Sequence, residues 1–144
     1  MTDAVRASAH LEALRAALAD LRRYAQSIPK QSVERDRDAY HMVRDALYLA
    51  VQACIDLAQQ RIAELGLRRP ADFRDTFRVL ADAGQVPGAL ASGMQDWAGF
   101  RNVLAHVYTK LDLDRLHEKR TCDLEQLEEL AAVAAAWVTE DAPP

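Results

Sequence analysis

Arg101, Asn102, His106 and Tyr108 lie within one short stretch, Trp-Ala-Gly-Phe-Arg-Asn-Val-Leu-Ala-His-Val-Tyr at 97–108. A histidine can give or take a proton near neutral pH. An arginine holds two phosphate oxygens at once and never loses its charge. Together they suit chemistry at a phosphodiester, such as attack of an RNA 2′-hydroxyl on the neighbouring phosphate. That reaction needs a base for the 2′-oxygen, an acid for the departing 5′-oxygen, and positive charge beside the phosphorane. It needs no metal ion.

Helix geometry limits how these residues can meet. At about 100° per residue, Arg101 and His106 point roughly 140° apart on an unbroken helix. Arg101 and Tyr108 share one face, and Asn102 and His106 another. One continuous helix therefore cannot easily bring its own Arg and His to the same phosphate. Either the helix breaks near His106, or a second copy completes the site across a two-fold axis. A chain with one motif histidine also supplies only one of the two proton-transfer groups, which favours a symmetric homodimer. Trp97, Phe100 and Val103, at three-residue spacing, are the expected dimer surface, with Trp97 and Phe100 as core residues the other reading.

Taken singly, each residue has an ordinary structural explanation. A lone helical Arg is commonly salt-bridged, a His between Ala105 and Val107 commonly packed, and a Tyr at a helix end commonly a half-buried anchor. The pattern is more specific. Arg101, four residues, His106, one residue and Tyr108 resembles the R-x4-H-x-Y signature of the HepT toxins, within the HEPN superfamily. Pro70-Ala-Asp-Phe-Arg-Asp-Thr-Phe77, the Leu80–Gly84 stop, Gly99-Phe-Arg-Asn102 and the long preceding helix with Tyr40 and Gln52 resemble the family in order and spacing. The resemblance covers roughly residues 40–112.

The resemblance implies an endoribonuclease toxin with Arg101 and His106 catalytic at a dimer cleft and Asn102 and Tyr108 supporting. It implies RNA as substrate and a minimal nucleotidyltransferase antitoxin of the MntA type as partner. That partner would transfer AMP from ATP onto Tyr108. A polar residue of the second helix is expected to support the motif, and both Gln52 and Asp56 qualify. The alternative is a non-catalytic helical subunit that binds a nucleotidyltransferase; such proteins generally lack the complete motif.

The bulk properties are compatible with this. The chain has 144 residues, half of them hydrophobic, enough for one core-bearing domain over 1–144 with a frayed tail at 140–144. The net charge is −4, but residues 121–144 hold six acidic groups and no Lys or Arg, so the middle of the chain is mildly basic. This allows RNA contact without a strong basic stripe; DNA is not an expected partner. Arg68, Arg69, Arg74 and Arg78 serve surface solubility, with a phosphate-contacting patch as the alternative. His10, His41 and His117 show neither H-x-x-x-H nor H-x-H spacing, and Cys54 and Cys122 are far apart. No metal site, cofactor or disulfide framework is expected. No signal segment or membrane span is visible, so a cytoplasmic location is the default.

The elements that must position the motif read as all-α. Ala and Leu dominate, and glycines and prolines are few. Leu11, Leu14, Leu18 and Leu21 mark a first helix over about 3–27, ended by Pro29. Ser32 is the expected N-cap of a second, long helix to about Leu65, with Gly66 beyond its end. Asp36 and Asp38, among arginines, read as a solvated salt-linked face. A third helix is expected over about 71–83, a fourth from about Ala89 into the motif, a short segment over 113–119 capped by Asp112, and a fifth over about 123–139. The expectation is an up-and-down, HEPN-like bundle of about five helices.

Overall fold

The computed structural model describes residues 3–106 and 110–140. Among them are seven α-helices: α1 (Asp3–Ser27), α2 (Lys30–Arg35), α3 (Arg37–Leu65), α4 (Phe73–Asp82), α5 (Gly88–Ala105), α6 (Lys110–Cys122) and α7 (Leu124–Glu140). The fold is helical, as expected, but with more than about five helices. The tail beyond residue 140 lies outside the described residues.

The extra helix at the front arises at Asp36. Its backbone is extended, and its side chain accepts the Asp38 N–H at 2.9 Å and the Ala39 N–H at 3.5 Å. Asp36 is thus the N-cap of α3 rather than part of a salt-linked face, and Ser32 lies inside α2, behind Pro29 as its N-cap. An Asp side chain can outbid the helix for backbone N–H groups, which is why the break falls there. Asp112 likewise sits within α6 instead of capping it.

Two glycines end helices as the sequence indicates. Gly66 has φ 64°, and Leu67 N–H reaches back to Ile62 O at 3.0 Å. Gly84 has φ 72°, with Gln85 N–H on Leu80 O at 2.8 Å. Both close the last turn through a left-handed residue that glycine adopts without strain.

The core is centred on α3, which buries Val43, Leu47, Ala50, Val51, Cys54, Ile55 and Leu57. Helix α1 lays Leu11, Leu14, Leu18 and Leu21 on it, and α7 adds Leu127, Leu130, Ala134 and Trp137. Val33 of α2 and Leu116 of α6 join the same apolar cluster. Burial also pushes the Cys54 thiol well above its ordinary range, so it stays an inert core side chain.

The helix bearing the motif is anchored deeply. Trp97 and Phe100 are 0% and 2% exposed, in edge-to-face contact at 6.1 Å between ring centres. Trp97 Nε1–H donates to Asp123 O at 3.2 Å, tying α5 to the α6–α7 junction. These rings are packed within one chain and cannot form the expected dimer surface; Val103 is only half-buried. Three-residue spacing marks an apolar face, but not whether a neighbouring helix or a second chain covers it. No helix among the described residues is long and apolar enough to cross a membrane.

Candidate active site

Arg101 projects from α5 toward α3 and α4. Its Nε–H donates to Gln52 Oε1 at 2.7 Å, and Nη2–H to the Tyr48 hydroxyl at 3.1 Å. The guanidinium lies 4.8 Å from the centre of the Phe73 ring and 5.4 Å from that of Tyr48. Stacking on aromatic faces and bonds to two neutral oxygens hold it in place. Among the described residues, no carboxylate comes within ion-pairing distance of it.

Gln52 is held in turn. Its Nε2–H donates to Asp56 Oδ1 at 2.9 Å, which orients its carbonyl toward Arg101. The other Asp56 oxygen is 4.0 Å from His10 Nδ1 on α1. Gln52 and Asp56 therefore both belong to the surroundings of Arg101, the first in contact and the second behind it. Arg44, Tyr48, Gln52 and Asp56 recur every four residues along one face of α3. That polar stripe beside the apolar one was the available signal for Tyr48 and Arg44, which motif reading alone passes over.

Arg44 acts on the other end of the motif. Its Nε–H donates to Leu104 O at 2.7 Å, and its guanidinium lies 5.9 Å from the Tyr48 ring centre. A cation on a last-turn carbonyl satisfies a backbone acceptor that the helix leaves open, and it matches the negative end of the dipole. Helix α5 then stops. His106 is its C-cap, with φ −138° and ψ 64° and its N–H on Val103 O at 3.1 Å, and it is exposed. The regular 140° separation of Arg101 and His106 no longer applies. Of the two geometric solutions, the helix break at His106 is present in the single chain. Asn102 is exposed one residue from Arg101. Tyr108 lies outside the described residues.

Helix α4 brings Phe73 to Arg101, and its start is built with care. Asp72 caps it by accepting Asp75 N–H at 2.7 Å, and Asp75 accepts Ala71 N–H at 2.9 Å. Arg68 grips both Asp75 oxygens, at 2.7 and 3.0 Å. The Arg68 hydrogen bonds first, then the Ala71 N–H, hold the Asp75 carboxyl below the ordinary carboxylate range. Arg68 is thus committed to this clamp. Arg74 lies across Gly99 so closely that a Cβ there would overlap its guanidinium. Glycine at 99 lets α4 and α5 approach at that point. Among the described residues, no group of three or more His, Cys, Asp or Glu is arranged to hold a metal ion.

Comparison with known proteins agrees with the motif. Residues 14–134 match a family described as ribonuclease HepT-like. The mRNA nuclease HepT of Shewanella oneidensis is 30% identical over 98 residues, spanning 65% of this chain and 74% of that protein. A solved structure of a tri-AMPylated HEPN toxin from Shewanella oneidensis, in complex with MNT antitoxin, superposes with TM-score 0.80 at 23% identity. The match covers 94% of this chain and 99% of that one. YutE of Bacillus subtilis, a cytosolic protein of unknown function, superposes with TM-score 0.80 at 15% identity, over 97% of this chain and 94% of that one. At such identities the superpositions establish a shared HEPN-type fold.

Proposed function

The chain belongs to the ribonuclease HepT-like family, and from that premise we propose that it is a metal-independent endoribonuclease, the toxin of a toxin–antitoxin pair. Arg101 binds the scissile phosphate and stabilises the phosphorane. His106 transfers a proton. One chain contributes one such histidine, so a homodimer supplies the general base for the 2′-hydroxyl from one copy and the general acid for the 5′-oxygen from the other. Asn102 and Tyr108 support the cleft. The products are a 2′,3′-cyclic phosphate and a free 5′-hydroxyl.

The observation that carries this reading is the end of α5 at His106. The helix holding Arg101 stops at the histidine, whose exposed side chain is released from the helical spacing that would point it away. The named relative is an mRNA nuclease, which favours RNA as the substrate here.

The partner follows from the same family. The antitoxin is a minimal nucleotidyltransferase resembling MntA, and it silences the enzyme by transferring AMP to Tyr108. Each AMP adds a phosphodiester negative charge and a bulky nucleoside beside the motif, competing with RNA for Arg101. The similar Shewanella oneidensis toxin, captured AMPylated with an MNT antitoxin, supports this regulation.

RNA cleavage by the wild type, compared with Arg101→Ala and His106→Ala, tests the reading. Loss of cleavage in both variants, at unchanged helical content, is expected. No cleavage by any of the three would leave a non-catalytic binding subunit instead, and undiminished cleavage by both variants would overturn the assigned site.

A further inference from the structure

Five of the fifteen arginines pair with acids among the described residues. Arg22 pairs with Glu128, Arg23 with Asp20, Arg44 with Asp45, Arg61 with Glu64 and Arg68 with Asp75. Arg101 differs. It is part-buried, yet its partners among the described residues are the Gln52 carbonyl, the Tyr48 hydroxyl and two aromatic rings. A part-buried guanidinium held this way is fixed in direction, and no described carboxylate pairs with it.

We propose that Gln52 and Asp56 are positioning residues that aim Arg101 at a phosphate without neutralising it. The inference rests on the ribonuclease reading of the site and concerns how its cation is prepared. A carboxylate at position 52 would bind Nε more strongly, because charge-assisted hydrogen bonds are about twice as strong as neutral ones. It would also cancel the charge that a phosphate has to find, and an incoming anion would compete with it. Glutamine gives the acceptor without the charge.

Glutamine brings a second difficulty, since its amide can turn end over end at little steric cost. Turned the wrong way, its NH2 would face the guanidinium, donor against donor. Asp56 prevents this. As an acceptor on Nε2–H at 2.9 Å, it selects the orientation that presents Oε1 to Arg101. Asp56 carries the negative charge one helical turn further along α3, where it faces His10 of α1 instead of Arg101. Tyr48 and Gln52, both neutral, touch the guanidinium, and the carboxylate of Asp56 stands behind Gln52.

The test compares Gln52→Glu, Gln52→Met, Asp56→Ala and Asp56→Asn with the wild type and Arg101→Ala. Three quantities are read: melting temperature, kcat/KM on an RNA oligonucleotide, and Kd for the same oligonucleotide with a 2′-deoxy substitution at the cleaved position. Gln52→Glu is expected to keep or raise the melting temperature while weakening both kcat/KM and Kd by roughly tenfold or more, the cost of a lost charged hydrogen bond. A residue of purely structural importance would move stability and activity together. Gln52→Met keeps the shape and removes the acceptor, so it should also lower kcat/KM, as should Asp56→Ala. Asp56→Asn keeps an acceptor and should restore much of the loss. If Arg101→Ala is inactive while Gln52→Glu and Gln52→Met cleave within twofold of the wild type, the positioning role is overturned and the ribonuclease reading stands. Wild-type activity in Asp56→Ala would remove Asp56 from it. A wild type that does not cleave, or an Arg101→Ala variant as active as it, overturns both.

Discussion

At the scale of residues, the account turns on three side chains with separate duties. The proposed reaction assigns fixed charge to Arg101, proton transfer to His106 and acceptance of AMP to Tyr108. His106→Ala should lower kcat by at least roughly 10²-fold, the usual yield of a general acid–base group. The rate is read from single-turnover cleavage, and a loss below threefold would exclude the role. Tyr108→Phe should preserve the fold and give an enzyme that the nucleotidyltransferase cannot silence. Intact-mass spectrometry after co-expression should show AMP increments on the wild-type peptide containing Tyr108 and none on the variant. An unmodified wild type would remove the regulation and leave the nuclease. The motif residues were legible in the sequence because their types and spacing are unusual together. Tyr48, Arg44 and Phe73 were not, because a tyrosine, an arginine and a phenylalanine on helices are ordinary until their partners are known. The choice between Gln52 and Asp56 was undecidable by spacing, since both lie on the same face of α3, and the structure links both to Arg101, Gln52 directly and Asp56 through Gln52.

At the scale of elements, the site depends on where helices start and stop. Helix ends marked by glycine or proline, at Pro29, Gly66 and Gly84, were readable because those residues act through their own backbones. The break at Asp36 was not, since an aspartate caps only when its oxygen meets the following N–H groups, and the same residue among arginines reads as a surface ion pair. The start of α4 allows a direct test. Asp75 is held below its ordinary pKa by Arg68 and the Ala71 N–H. A carboxyl with a lower pKa folded than unfolded contributes stability above its unfolded pKa of about 3.9 and loses it as pH falls through the folded value. The wild type should therefore lose stability on acidification below about pH 4. Asp75→Asn should be less stable at neutral pH and show a shallower loss over that acid range in thermal melts. Parallel pH profiles would mean that the clamp contributes nothing to folding. Replacing the Asp72 cap by Ala should cost about 1 kcal/mol, and should loosen Phe73 against Arg101.

At the scale of the whole molecule, composition fixed the class and little more. Abundant Ala and Leu with amphipathic spacing gave helices, and the family match accounts for the bundle they form. What composition cannot distinguish is an apolar face covered by the same chain from one covered by another. Trp97 and Phe100 illustrate this, since they lie in the core beside α6 and α7 and are closed to a second copy. The requirement for two proton-transfer groups still predicts a homodimer, through a surface other than those rings. Light scattering at micromolar concentration should give twice the mass of one chain. A monomer that cleaves RNA at full rate would mean that a single chain supplies both acid and base.

The most direct test of the central claim is cleavage of a defined RNA oligonucleotide in excess EDTA, with the product ends identified by mass spectrometry. The account predicts undiminished cleavage, 2′,3′-cyclic phosphate ends, and no cleavage by Arg101→Ala or His106→Ala. Activity abolished by EDTA and restored by magnesium, or cleavage that survives the loss of Arg101 and His106, would contradict it.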